Sequence, residues 1–408
     1  MSLMRFKNKL SLREIEQMVR APIMKRKTRF YLLRHDDTIV QEITNWVSPG
    51  GNLEKTDGSG QVRSTSISLQ NEKISKVVGY KNGVPVKKEK FIWTPSMNGT
   101  LGVYEKLKIV TEIYFGNEIY QIDEGIFVIC NPSLNYSNAE NIVELQCYDK
   151  FALLDGTIDG TDDLDYEIPV STPLWQALEG LVRLERAKGI PFDIKPIVFP
   201  VKYKNELTPY TLKKDSGSSI GEIITDLCNM ISCDVKYSDE GLLTVKDGLS
   251  DLDYHHRSVS WNFRENETKN PTLAIDRSKI KNKVTVVGTN INGRLCKGEA
   301  ENDNPQSNYN TSIFGSKPIK ITDDLIYTNL MCKERAKYEL KKYAQNYITL
   351  TFSCNYIPHL EPGDIVRWSY EPWDIENEEF LVNSISIPLQ GSEMMSLSCT
   401  NLKELPLY

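Results

Sequence analysis

No stretch of this 408-residue chain stays apolar for the roughly 18 residues that a membrane-crossing helix needs, so no helical membrane insertion is expected. The N-terminal segment MSLMRFKNKLSLREIEQMVR lacks both the unbroken apolar core and the small-residue cleavage site of a secretory leader, which predicts a protein made and kept in the cytoplasm. Histidine is scarce: His35, His255, His256 and His359 are the four in the chain, and none has a triad-like neighbourhood. A basic excess is also missing. The net charge of −6 argues against a face built to grip duplex DNA. No phosphate-cradling glycine loop is present.

The candidate sites that remain are weak. Gly217-Ser218-Ser219-Ile220-Gly221 fits a nucleophile elbow, but the preceding YTLKKDSG is too polar for a central strand. Ser219 followed by Glu222 instead predicts a capping box at a helix start, and Ser11 with Glu14 predicts another. Cys228 and Cys233, with His255 and His256 beyond them, lack the close ligand pairs of a zinc site. The acidic connector with Asp155, Asp159, Asp162, Asp163 and Asp165 lacks the ligand order of a calcium loop and reads as a solvated linker. The eight cysteines are spread along the chain; Cys130, Cys147, Cys233, Cys354 and Cys399 fall in apolar or alternating segments that predict reduced, buried thiols. No catalytic residue, cofactor or metal ligand is expected.

What is present is strand-like alternation. The expected order is an N-terminal helix and arm (1–27), a β-rich domain (28–155), an α+β module (156–252) and a second β-rich domain with a long helix (253–408). The first domain shows runs at Arg29–Leu33, Glu42–Val47, Val62–Leu69, Leu107–Phe115, Gly125–Cys130 and Ile142–Tyr148, with PGGNLEKTDGSG as a glycine-rich break. The module predicts one helix opened by Thr172-Pro173 and closed by Gly189, a second from Ser219, and a hairpin over Cys233–Tyr237 and Leu242–Val245. In the last domain Lys281–Gly288 predicts a strand, NGRLCKGEAENDNPQSNYN an exposed loop, Asp323–Ala344 a helix, and Tyr347–Tyr356 the clearest alternating strand. Glu361-Pro362-Gly363-Asp364 predicts a tight turn that aims Ile365–Trp368 back along the preceding strand. Tyr148-Asp149-Lys150 ends a strand and starts a polar exit from the first domain.

Four segments in this order carry a resemblance: RSTSISL (Arg63–Leu69) with the strand near Trp93; GIFVICNPS (Gly125–Ser133) with LQCYDKFALLDG (Leu145–Gly156); Ile220–Val245; and KNKVTVVG (Lys281–Gly288) with LEPGDIVRW (Leu360–Trp368) and IPLQGSEMMSLSC (Ile387–Cys399). The chain resembles the central baseplate hub proteins of phage tails and related contractile particles, most of all the versions from Gram-positive prophages and phage-tail-like bacteriocins. That resemblance implies a mainly β fold with an α+β insert, in which two tube-type antiparallel β-barrels flank the small module. It implies a homotrimeric, non-enzymatic hub that joins a six-fold tail tube to a three-fold spike or tip and contacts other baseplate proteins. It further implies a channel through which DNA passes without specific binding, in a particle assembled in the bacterial cytoplasm. The alternatives are a tail-associated cell-wall hydrolase and a receptor- or carbohydrate-binding tail protein, for which Trp368, Tyr370 and Trp373 are candidate contact residues.

Overall fold

A computed structural model describes residues 11–21, 24–81, 84–94, 101, 106–137, 140–161, 166–187, 189–249, 257–290, 292–345, 348–389 and 393–407. The first helix, α1 (Leu12–Val19), is opened by the capping box: the Ser11 hydroxyl accepts the Glu14 N–H, and the Glu14 carboxylate accepts the Ser11 N–H at 2.8 Å. Its apolar face buries Ile15, Met18 and Val19.

Nine strands follow: β1 (Lys25–Leu33), β2 (Ile39–Glu42), β3 (Asn52–Thr56), β4 (Arg63–Gln70), β5 (Lys73–Lys81), β6 (Val84–Phe91), β7 (Lys106–Phe115), β8 (Glu118–Ser137) and β9 (Glu140–Asp149). Two sequence expectations need correction here. Of Glu42–Val47 only Glu42 lies in a strand. Thr44–Trp46 is a 3-10 turn, because the Thr44 hydroxyl takes the Phe30 N–H at 3.0 Å and replaces a ladder bond. The glycine-rich break is not all loop either: it contains β3, whose Leu53 and Lys55 turn inward.

The module holds β10 (Tyr166–Ile168), α2 (Leu174–Val182), β11 (Glu185–Ala187), β12 (Ile190–Pro191), β13 (Leu212–Lys214), α3 (Ile220–Met230), β14 (Cys233–Tyr237) and β15 (Leu243–Asp247). Helix α2 starts one position later than the sequence suggests. Pro173 is its N-cap, while the Thr172 hydroxyl donates to Pro169 O at 2.6 Å. The helix ends at Val182, and Gly189 (φ +74°) serves the turn between β11 and β12. Apolar residues of α2, α3, β14 and β15 share one core.

The rest comprises β16 (Trp261–Phe263), β17 (Thr268–Ile275), β18 (Lys283–Thr289), β19 (Leu295–Glu301), α4 (Thr311–Phe314), β20 (Pro318–Thr322), α5 (Asn329–Ala344), β21 (Ile348–Cys354), β22 (Ile365–Tyr370), β23 (Ile375–Pro388) and β24 (Met395–Asn401). Helix α5 begins after Asp323–Tyr327, where Thr328 caps the Met331 N–H. The polar stretch expected as an exposed loop is half strand and half buried knot. Its β19 pairs along β18. Asn302 and Asn304 are buried and donate to the Glu404, Lys403 and Leu405 carbonyls, and the Glu404 carboxylate accepts from Ser307 and Asn308. Polar residues read as solvent-facing are here satisfied by the chain's own C-terminal segment.

Both β-rich regions enter one 13-stranded sheet, in the order β17-β21-β24-β23-β3-β4-β9-β8-β7-β1-β2, with β22 beside β23 and β16 beside β22. Among the described residues this pairing does not close on itself, and it branches at β23, which pairs with β24, β3 and β22. The seam is β3 against β23, with Leu53 opposite Ile387 and Lys55 opposite Ile385. Strand β22 pairs with β23 and β16, so the turn at Glu361–Asp364 does not fold it onto β21. One apolar core runs under the sheet from α1 through both β-rich regions.

Gly298 of β19 sits against α5: a Cβ there would lie 2.2 Å from Lys333 N. Gly298→Ala is therefore expected to push α5 off the strand and to destabilise the fold by about 1–3 kcal/mol. Urea unfolding followed by circular dichroism measures this, and an unchanged midpoint would contradict the close approach.

Candidate functional site

Where the two β-rich regions and the module meet, the interior is charged. Lys55 of β3 points inward because it alternates with Glu54 and Thr56, and it reaches Glu124 of β8 at 2.7 Å. Both side chains are only 1% exposed. The Tyr356 hydroxyl donates to the other Glu124 oxygen, and Glu361 approaches Lys55 Nζ at 3.3 Å. Arg63 is the first residue of β4's inward-facing set, which continues with Thr65, Ile67 and Leu69. Its guanidinium donates to Tyr237 O at 2.6 Å and pairs with Asp239 at 2.9 Å, with Glu361 at 3.5 Å. Tyr237 and Asp239 belong to the β14–β15 hairpin, so Arg63 ties the module to the sheet.

The turn Glu361–Asp364 supplies Glu361 to this junction. Asp364 accepts the Glu361 N–H at 2.9 Å. Gly363 (φ +94°) allows the reversal, and its N–H donates to Val382 O on β23 at 2.7 Å. Pro362 stands at the point of reversal. Burial raises the Asp364 carboxyl, against the Glu361 N–H that favours its charged form.

Tyr148-Asp149-Lys150 arrives at the same place from the end of β9. Tyr148 sets backbone register, opposite Ser64 on one side and Val128 on the other. Asp149 accepts three backbone N–H groups, from Val62, Arg63 and Phe151, at 2.9–3.0 Å. Burial pushes its carboxyl up to about 6 in spite of those donors. Lys150 is fully buried and pairs with Asp193 at 2.7 Å and Asp37 at 2.9 Å. It also donates to Gly241 O and lies 5.0 Å over the Tyr237 ring. Asp37 gathers Lys106 at 2.6 Å and Lys195 at 3.0 Å as well. Burial works to raise the Asp37 carboxyl, but Lys150 and Lys106 outweigh it and hold it near about 2.

The two motifs singled out in the sequence therefore converge on Arg63. One binds its backbone N–H through Asp149, the other its side chain through Glu361. Their partners Lys55, Glu124, Asp37, Asp193 and Asp239 were not foreseen. Arg63 had a signal, since it falls in phase with Ile67 and Leu69 on the apolar face of β4. Lys55 had almost none, lying among glycines that read as a break.

The remaining candidates are dispersed. The Ser219 hydroxyl accepts the Glu222 N–H at 3.1 Å as the cap of α3. Cys228 and Cys233 are buried in the module's core, where desolvation raises both thiols. All eight cysteines are free. His255, His256, Asp162, Asp163 and Asp165 lie outside the described residues. Asp155 and Asp159 each accept a nearby backbone N–H, from Thr157 and Gly160. Among the described residues no three His, Cys, Asp or Glu side chains cluster to hold a metal, and no helix is long and apolar enough to cross a membrane. Trp368 is buried and stacks on Phe352 and Tyr370, with Trp373 edge-on and half exposed at 39%.

The charged side chains of this junction pair with one another and with backbone groups. This arrangement fixes one part of the chain against another. The fold is that seen in phage tail proteins. The structure is similar to a 43 kDa tail protein of prophage MuSo2 from Shewanella oneidensis, with 13% identity over 92% of this chain and 99% of that one and a TM-score of 0.56. It is similar to a tail protein from Neisseria meningitidis MC58, with 12% identity, 91% and 96% coverage and a TM-score of 0.56. A third likeness is to prophage tail protein gp18 from Listeria monocytogenes EGD-e, with 14% identity, 91% and 94% coverage and a TM-score of 0.50. No protein-family model and no curated protein sequence matches the chain.

Two outcomes are expected of this junction. Glu124→Ala leaves Lys55 buried beside a lost counter-charge and should cost about 3–5 kcal/mol, whereas Lys55→Met with Glu124→Leu should cost far less than the two single changes together. Denaturant midpoints of Glu124→Ala, of Lys55→Met and Glu124→Leu singly, and of the double variant test it; additive costs of the last three would show that the pair is not coupled. Asp149 gives the second. Its folded pKa of about 6 lies above the ordinary value near 3.9, so the folded state takes up a proton between about pH 6 and 4 that the unfolded chain does not. This group's contribution therefore becomes more favourable as pH falls through that window. Relative to Asp149→Asn, wild-type stability should gain on the order of 2 kcal/mol from pH 7 to pH 4. A difference that stays flat with pH would refute the raised value.

Proposed function

We propose that this chain is a non-enzymatic structural protein, the hub of a phage-type tail baseplate, and that it acts as a homotrimer. The observation that carries this reading is a likeness to tail proteins that spans more than 90% of this chain and of theirs. In this reading the domains are 28–155, 156–252 and 253–408, preceded by the arm at 1–27. The parts of the sheet on either side of the β3–β23 seam act as two tube-type barrel modules. Three copies then present six such modules to a six-fold tail tube and a three-fold face to a spike or tip protein, with other baseplate proteins around them. The net charge of −6 suits a channel wall past which DNA phosphates slide without binding. Such a protein is a component of a virion or a phage-tail-like particle, assembled in the bacterial cytoplasm.

A buried, hydrogen-bonded ionic junction is what a load-transmitting scaffold needs, and the Ser219 hydroxyl is committed to a helix cap. Glu361–Asp364 and Tyr148–Lys150 are, in this reading, the hub's internal fasteners. Light scattering coupled to size exclusion, with negative-stain imaging of the same peak, is expected to show three copies in a ring with a central opening. A monomer with a deep cleft would overturn the assignment.

A further inference from the structure

Strands β5 and β6 form a hairpin that pairs with no other strand among the described residues. Residues 73–91 carry Lys73, Lys76, Lys81, Lys87, Lys88 and Lys90 against the one acid Glu89. With the whole chain at −6, everything outside the hairpin is more acidic than that figure by five charges. The register places Lys76 opposite Lys88 and Ile74 opposite Lys90. A lone two-stranded hairpin is marginal in water. Its root is nonetheless fixed: the Asn71 side chain bonds both the N–H and the carbonyl of Trp93, and Ile92 is buried. Lys87 and Lys90 are exposed. A firmly rooted arm of one charge sign calls for a partner of the other.

The same chain offers that partner at the far end of the sheet. Residues 371–379, where β22 turns into β23, hold Glu371, Asp374, Glu376, Glu378 and Glu379 and no lysine or arginine. Glu378 and Glu379 are matched by Lys403 and Arg367. Glu371, Asp374 and Glu376 are exposed around Trp373. The register sets the geometry. Passing along β4 from Arg63 toward Gln70, which leads into the hairpin, runs toward Asn52 on β3 and hence toward Pro388 on β23. Ile375, beside the acidic tip, is the opposite end of β23. Basic arm and acidic tip thus lie at opposite ends of the strands.

We propose that the β5–β6 hairpin is a docking arm that seats on the acidic β22–β23 tip of a second copy of this chain. Contact between two different surfaces is heterologous, so each copy gives an arm and receives one. The interaction weakens with salt, because its charges are exposed.

Sedimentation velocity at low and high salt, on the full chain, tests this with three variants: Lys87→Glu with Lys90→Glu; Glu371→Lys with Asp374→Lys and Glu376→Lys; and all five together. Each reversal alone should weaken self-association on the order of tenfold, and the five-fold swap should restore most of it. Restoration also shows that the swapped chain is folded. Unchanged assembly in either reversal, or no recovery in the combination, overturns the proposal. So does a hairpin variant that assembles normally but loses affinity for a short duplex DNA, which would assign the arm to nucleic acid. Imaging separates this inference from the hub reading. A three-fold ring that survives the reversals sinks the arm alone, and charge-dependent assembly into a ring of another order sinks the hub alone.

Discussion

The Lys55–Glu124 pair sets the terms for the rest of the molecule. Two charges at 1% exposure cost several kcal/mol each to desolvate, and their mutual attraction offsets this only with good geometry and further hydrogen bonds. The Tyr356 hydroxyl and Glu361 provide them. The pair also disciplines register. Sliding β3 by one residue would turn Lys55 and Leu53 outward together and bring Glu54 inward toward Glu124. An apolar contact would tolerate some slippage at the β3–β23 seam; a buried ion pair does not. The joint between the two β-rich regions is therefore specified by electrostatics as much as by the apolar core beneath it.

The module is fastened by the same means. Loop 57–62 meets the β14–β15 hairpin through Gly60 N–H on Val235 O, the Ser59 hydroxyl on Asp234, and Arg63 on Tyr237 O. Asp234 receives the Tyr338 hydroxyl from α5 as well, so one carboxylate touches the loop, the hairpin and the long helix. Burial would raise Asp234, yet Lys342 and these hydroxyl donors keep it below its ordinary value. Such contacts are directional. They hold the module in one orientation, which a greasy surface of equal area would do less well.

Much of this was legible in the sequence, and the failures have physical causes. Alternation at Val62–Leu69, Ile142–Tyr148 and Tyr347–Tyr356 marked real strands, and both Ser-x-x-Glu boxes open real helices. Glu361–Asp364 and Tyr148–Lys150 were visible as turn and exit chemistry. What they bind was not, because ion pairs between residues such as Lys55 and Glu361 join positions hundreds of residues apart and leave no local period. The glycines around β3 concealed a strand only five residues long. NGRLCKGEAENDNPQSNYN looked solvated because polarity is the usual mark of exposure. Here Asn302 and Asn304 are inside, donating to carbonyls of residues 403–405, and Gly298 is small so that α5 can lie on β19.

Charge is thus used in two opposite ways. Inside, lysines and carboxylates are matched one to another and screened from salt: Lys150 has two carboxylates and Asp37 three lysines. At the ends of the sheet, charge is segregated, basic on the β5–β6 hairpin and acidic at 371–379. Matched interior charge fixes the shape of one copy and is indifferent to its surroundings. Segregated surface charge raises the energy of an isolated copy and lowers it when the two ends meet. If the proposed docking holds, only the exposed set should respond to ionic strength.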